Sequence, residues 1–365
     1  MNRVLALMLL SFSCGAAADP GQPQIPDSNL NVSRIALGSC AFQSLEQPIF
    51  RAVVKARPDL YLSLGDAIYG DYDIATKSAY DVTPQTLRRE WQVLANNPDW
   101  QSLVEHIPMM ATWDNHDYGH HSAGAGFPLK AESKEIFLDF FGEPATSQRR
   151  SREGVYDSKI FGPEGRRVQV VLLDTRSFKS APALAQRLEV VGGSLGKYAP
   201  NNDPAASLLG AEQWRWLEQE LKRPADVRLV ASSGQVIADQ KGMDEWGNYP
   251  LERERLLTLV ASTASGRSIL LSGNVHFSEV SAVDVASTRI VDFTSSGLTH
   301  VNKEYPKAPN RYRVAGPHVE PNFGLVEINW DRNHEIVLQS IGVEGEVQFE
   351  YTVPPEDISL SSSAN

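Results

Sequence analysis

Apolar residues in this chain gather in short runs that end abruptly in polar clusters. Ile35-Ala36-Leu37 is followed by Gly38-Ser39-Cys40, and Leu60-Tyr61-Leu62-Ser63-Leu64 by Gly65-Asp66 with Tyr69 just beyond. Met109-Met110-Ala111-Thr112-Trp113 leads into Asp114-Asn115-His116-Asp117. Arg228-Leu229-Val230-Ala231 leads into Ser232-Ser233-Gly234-Gln235, and Ile269-Leu270-Leu271-Ser272-Gly273 into Asn274 and His276. Runs this short, bounded by turn residues, predict buried strands. Each ends in a side chain able to bind a metal. Open α/β sheets carry their sites at the carboxyl ends of strands, so the five ends predict convergence on one polynuclear metal site.

Between and after these runs the period changes. Helices are expected over 47–56, from Thr83-Pro84-Gln85 to 96, over 99–106, and over 130–141, where Ile136, Phe137 and Phe140 face inward. Further helices are expected at 211–222 and 251–262. Residues 155–161 and 167–173 flank Gly162-Pro163-Glu164-Gly165 and read as a hairpin. The segment 181–206, rich in Gly, Pro, Ala and Asn, reads as a long surface loop overhanging the site. Residues 324–352 alternate as antiparallel strands with a turn at Gly342-Val343-Glu344-Gly345. No internal repeat or clean linker interrupts the order. It predicts a mixed α/β (α+β) fold, with residues 19–352 forming one domain of two sheets flanked by helices and 353–365 a polar tail.

Composition agrees: 365 residues, 42% hydrophobic and 22% charged, suffice to bury a core without covalent staples. Residues 1–18 read as a general-export signal peptide: Arg3, an apolar stretch from Val4 to Phe12, and Ala16-Ala17-Ala18 before Asp19. The expected location is therefore periplasmic or secreted. Cys14 raises lipidation as an alternative, although Ser11-Phe12-Ser13 is a poor lipidation signal. No other segment is apolar enough for a transmembrane anchor. Without residues 1–18 the net charge is −12 (33 basic against 45 acidic residues), which disfavours general nucleic-acid binding. An anionic substrate would then need local positive charge, which bound metal would supply. Cys40 would be the sole remaining cysteine, a small buried residue or a metal ligand.

Gly65-Asp66-Ala67-Ile68-Tyr69, Asn115-His116-Asp117 and Gly273-Asn274-Val275-His276 occur in the order of the calcineurin-like metallophosphoesterase motifs, and the chain resembles that superfamily. Gly38-Ser39-Cys40, Trp113-Asp114-Asn115-His116-Asp117 and Leu173-Asp174-Thr175-Arg176 are similar to the alkaline phosphatase D family in particular, over about residues 34–300. The resemblance implies a two-sheet metallophosphoesterase sandwich in which Asp66 bridges two metals. Cys40, Tyr69 and His276 would complete the first site, and Asn115, Gln235 and Asn274 the second. Thiolate, phenolate, carboxylate and imidazole suit Fe3+. Amide oxygens beside one carboxylate suit Ca2+, Mg2+ or Mn2+ better than Zn2+. Iron with calcium is therefore expected. Asn274 stands nearest the family's usual Asp, so the second site is less anionic.

By the same resemblance, a metal-bound hydroxide at a dinuclear site would attack phosphorus. His116 would contact the phosphoryl group or protonate the leaving alkoxide, with Asp117 or Asp114 fixing its tautomer. Arg176 would clamp the phosphate. Trp246 and Tyr249 would wall the cleft, or else pack in the core, and His300 would approach the site. His120 and His121 read as loop residues, and Asp174 as a turn cap. The expected activity is hydrolysis of small phosphomonoesters, phosphodiesters or both at neutral to alkaline pH. The alternatives are a non-catalytic exported metal- or ligand-binding protein on the same scaffold and a phospholipid-directed phosphodiesterase.

Overall fold

Ile35, Ala36 and Leu37 are fully buried because strand β1 (Arg34–Gly38) has apolar layers on both faces. The computed structural model describes residues 21–191, 194–263 and 266–355; the expected signal peptide and most of the expected tail lie outside them. β1 pairs in parallel with β2 (Leu60–Ser63), and β2 with β5 (Met109–Ala111). Helix α1 (Ile49–Ala56) makes the first crossover. The small hairpin β3 (Tyr72–Asp73)–β4 (Ser78–Ala79) and helices α2 (Pro84–Ala95) and α3 (Pro98–His106) make the second. α2 starts where Thr83 accepts the Thr86 N–H at 3.1 Å and Pro84 needs no amide partner. On the other side of β1, antiparallel strands β15 (Phe323–Asn329), β16 (Glu335–Ile341) and β17 (Val347–Val353) complete a six-stranded sheet. The Gly345 N–H to Gly342 carbonyl bond of 3.0 Å closes the expected turn. Val353, assigned to the tail from sequence, is the buried last residue of β17.

The second sheet is built around four parallel strands: β7 (Val168–Leu172), β10 (Val227–Ala231), β11 (Arg267–Ser272) and β13 (Thr288–Ser295). β6 (Asp157–Phe161) pairs with β7 as the expected hairpin. β12 (Ser278–Val285) and β14 (Arg313–His318) extend the other edge to seven strands. The sheets face each other through Leu37, Leu62, Val170, Leu229, Leu271 and Phe293. Helices α7 (Gly210–Glu220) and α8 (Pro250–Ala261) cover the outer face of the second sheet with Trp214, Leu217, Leu256 and Val260. Three further helices, α4 (Asn115–Tyr118), α5 (Lys130–Phe140) and α6 (Gln148–Ser151), follow β5.

One expectation is corrected. Residues 181–206 contain a hairpin, β8 (Ala183–Val191) with β9 (Ser194–Ala199), rather than only a loop. Gly- and Ala-rich composition hides the strand signal, and pairing supplies what propensity lacks. β9 is tied to the body where the Tyr198 N–H donates to the Gly242 carbonyl at 3.0 Å.

Candidate active site

At the carboxyl ends of β1, β2 and β11 the backbone turns off each strand through a left-handed residue. Cys40 has φ 63°, Asp66 50°, Asn274 70° and His276 59°. Non-glycine residues in this region cost on the order of 1–3 kcal/mol each and persist where surrounding bonds over-determine them. Here the Ala41 N–H bonds the Asp66 carbonyl at 2.8 Å, and the His276 N–H bonds Ser296 Oγ at 2.8 Å. Gly65 precedes Asp66 at φ 98°, and a Cβ there would stand 2.6 Å from the Asp114 amide. Only glycine fits.

Cys40, Asp66 and His276 present one ligand atom each, all within 4.8 Å of one another. The Cys40 thiol donates to Asp66 Oδ2 at 3.5 Å and accepts from Ser296 Oγ at 3.2 Å. Asp66 Oδ1 accepts the His116 N–H at 3.2 Å, so this carboxylate stands between the thiol and the segment that begins α4. Burial pushes the Asp66 carboxyl up to about 8; His116 opposes, and Asp114 and Asp117 add to the rise. Burial, then the Asp66 charge, pushes the Cys40 thiol well up. Burial also holds His276 well below the usual imidazole value, leaving a lone pair for coordination. Buried anionic donors of this kind need a cation to hold them deprotonated, a role a metal ion would fill.

Tyr69 lies against this group. Its hydroxyl bonds His300 Nε2 at 3.1 Å, and burial followed by the Cys40 and Asp66 charges pushes its phenol up. His300 therefore does reach the site. Asn115, at the start of α4, is buried with an amide nitrogen that has no partner among the described residues. Asn274 commits its amide nitrogen to the Asp244 carbonyl at 3.1 Å, leaving its oxygen as the atom available to a cation. The donor set fits a metal pair: sulfur, phenol, imidazole and carboxylate on one side, amides on the other.

His116 is held by Asp71, whose Oδ1 meets its Nδ1. Asp71 Oδ2 also accepts the His121 N–H at 3.1 Å. The expected tautomer partners do other work. Asp117 Oδ1 accepts the N–H groups of Ala67 and Ile68 at 2.9 and 3.1 Å, while Oδ2 accepts those of Asp66 and, at 2.9 Å, Asp114. It clamps the Asp66 turn. Asp114 receives Arg176 Nε at 2.6 Å and Ser233 Oγ at 2.9 Å, and its other oxygen has no partner among the described residues.

Arg176 is buried and already paired. Besides Asp114 it holds Asp244 at 2.7 Å, and Lys179 holds Asp244 at 2.7 Å as well. Its guanidinium is thus a brace rather than an open phosphate clamp. Gln235, beyond β10, is buried. Its amide donates to Glu279 at 2.8 Å and Thr294 at 2.9 Å. Those side chains alternate with Val280 and Phe293, which point into the core between the sheets, so the Gln235 amide nitrogen is drawn to the opposite face, while its buried oxygen has no partner among the described residues. Trp246 and Tyr249 belong to the helix-side core, with Trp246 Nε1 on Ser232 Oγ at 2.9 Å. Asp174 caps its turn as expected, accepting the Arg176 and Ser177 N–H groups at 2.8 and 2.9 Å. Sequence reasoning missed Asp71, although Gly70-Asp71 repeats the Gly-Asp pair immediately after Tyr69, and it missed Asp244, the residue between two buried cations.

Two sheets with their strand ends gathered on a Cys-Asp-His cluster define a metallophosphoesterase-like sandwich. The PhoD-like phosphatase family model matches residues 35–334, and the chain belongs to that family. It is 24% identical over 338 residues to alkaline phosphatase D of Bacillus subtilis (strain 168), a match covering 81% of this chain and 56% of that protein. The chain thus spans little more than half the length of this curated relative. A solved structure of PhoD superposes with a TM-score of 0.67 at 17% identity, over 90% of this chain and 70% of that one. GAP50, the anchor in the inner membrane complex of Plasmodium, superposes with a TM-score of 0.50 at 12% identity, over 89% and 90% of the two chains. These superpositions establish the shared fold. Among the described residues, no helix is long and apolar enough to cross a membrane.

Proposed function

We propose that this protein is an exported, metal-dependent phosphoesterase that hydrolyses small phosphomonoesters or phosphodiesters. The observation that carries the reading is the convergence of buried Cys40 and Asp66 with half-buried His276 within 4.8 Å at three strand ends. Cys40, Asp66, Tyr69 and His276 would hold Fe3+; Asp66, Asn115 and Asn274 would hold Ca2+, with Mn2+, Mg2+ or Zn2+ as alternatives. Bound there, the ions would supply Lewis acidity toward phosphoryl oxygen and lower the pKa of water.

The chain's own residues supply the rest. His116 delivers a proton to the departing ester oxygen from Nε2, because Asp71 occupies Nδ1. Asp117 fixes the Asp66 turn, and Arg176 fixes Asp114 beside Asn115. The likeness to GAP50, an anchor protein, favours a non-catalytic scaffold as the second reading. The His116–Asp71 pair favours catalysis, since a scaffold has no need to orient an imidazole at the cluster.

Elemental analysis of protein purified without added metal or chelator tests the metals: iron and calcium near one each are expected, whereas zinc alone overturns the argument from hard amide ligands. On a chromogenic phosphodiester, Asn115→Ala and His276→Ala should each lose at least about 100-fold in kcat/KM. Full activity in both variants rejects the site.

A further inference from the structure

On the Cys40 side of the site, five rings follow one another in an arc. Tyr72 stands 6.2 Å from Phe42, Phe42 4.3 Å from His300, His300 4.4 Å from His276, and His276 6.0 Å from Tyr305, centre to centre. His276 is explained by the metal cluster and His300 by its bond to Tyr69. Phe42, Tyr72 and Tyr305 have no such explanation. Phe42 is buried as the floor of the arc, 3.9 Å from the Tyr69 ring, and its N–H is fixed on Thr299 Oγ1 at 2.8 Å. Tyr72 and Tyr305, at the two ends, are only half-buried. They come from distant segments, the β3–β4 hairpin and a short turn at Tyr305–Lys307, that reach the same rim.

We propose that this arc is the binding shelf for a planar aromatic ester group on the phosphate substrate, an inference that rests on the phosphoesterase reading above. Successive rings are tilted by 36°, 38°, 74° and 36°, so three junctions are inclined and the one between His300 and His276 is edge-on. A planar guest finds both offset and edge-to-face partners there, which an alkyl group cannot use. The reaction stays balanced: water's oxygen forms the new bond to phosphorus, the bond from phosphorus to the ester oxygen breaks, and that oxygen leaves with a proton. An aryl ester and a nucleoside ester share the planar group, so the shelf serves either.

Calorimetric titration of the metal-replete full chain with phenylphosphonate and methylphosphonate reads the shelf without turnover, and a nucleoside phosphonate separates the two sources. Phenylphosphonate should bind at least about tenfold more tightly than methylphosphonate, consistent with stacking energies for rings and bases. Tyr72→Leu and Tyr305→Leu should each narrow that ratio about threefold to tenfold, while Tyr72→Phe and Tyr305→Phe should restore it. Equal affinities in the wild-type protein overturn the proposal, as does a parallel weakening of both ligands in the Leu variants. Parallel hydrolysis assays keep the two readings apart. A protein that binds phenylphosphonate selectively but cleaves no ester refutes the phosphoesterase reading and leaves the shelf; one that cleaves esters without aromatic selectivity does the reverse.

Discussion

His116 and Asp117 are neighbours in sequence, yet the imidazole is oriented by Asp71, forty-five residues earlier. Adjacent residues on a helical turn point in different directions, so the carboxylate next to His116 cannot face it. Asp117 instead gathers four backbone N–H groups, an arrangement that holds a turn rather than a proton-transfer partner. The two carboxylates therefore predict different failures. Asp71→Asn should keep the fold and metal content but lower kcat about 10- to 100-fold by releasing the His116 tautomer. Asp117→Asn should weaken metal retention along with activity, because its four bonds define the Asp66 turn. Metal analysis beside steady-state kinetics separates them, and identical profiles for both variants would refute the assignment. The residue types at the strand ends were legible in the sequence because ligand chemistry depends on side-chain identity. The Asp71 pairing and the bonds of the Gln235 amide to Glu279 and Thr294 were not, since both depend on which face of a turn or sheet a side chain takes.

Among the elements, the segment from Asp239 to Tyr249 is pinned by charges whose titrations have opposite signs. Burial alone would raise the Asp244 carboxyl, but Arg176 and Lys179 outweigh it and hold it well below the usual range. A folded-state value below the unfolded one gives stability that is present above the ordinary aspartate pKa and lost as pH falls through the folded value. Glu245 is the reverse. Burial pushes it up to about 7, with Lys241 opposing, so it costs stability increasingly as pH rises from 4.5 toward that value. Asp244→Asn should destabilise the protein by about 3–5 kcal/mol near neutral pH, since buried Lys179 loses its counterion and buried Arg176 one of its two, and should flatten the acid limb of Tm against pH. Glu245→Gln keeps the carbonyl that accepts the Lys241 and Gly242 N–H groups at 2.9 and 3.1 Å. It should raise stability by on the order of 1–3 kcal/mol at about pH 8 and leave it unchanged at about pH 4. A gain confined to acid pH would contradict the assigned sign. This segment shows where element-level reading stops. Periodicity located the six longer helices and the β6–β7 hairpin, but not the short α4 and α6, and Asp244-Glu245-Trp246 draws its organisation from Arg176 and Lys179 on a different connection.

At the scale of the molecule, the candidate centre belongs to neither sheet alone. Cys40, Asp66 and Asn115 follow strands of the first sheet, and Asn274 and His276 follow β11 of the second. Their spacing is therefore set by the apolar layer between the sheets, in which Phe293 packs against the opposing side at Phe349, 6.4 Å between ring centres. Leu103 of α3 is equally buried, but it lies in the separate core on the outer side of the first sheet. Both truncations remove a large buried side chain, and Leu→Ala and Phe→Ala changes in such cores cost about 2–5 kcal/mol. Interiors are close-packed and transmit strain, so a void between the sheets shifts one set of strand ends against the other. Phe293→Ala should thus lose metal content and kcat/KM even when assayed well below its Tm. Leu103→Ala, with a comparable fall in Tm, should keep both, because its void leaves the sheet-to-sheet distance untouched. If the two variants lose activity only in proportion to their melting temperatures, the sheets do not set the spacing, and the strand-end turns alone hold the centre.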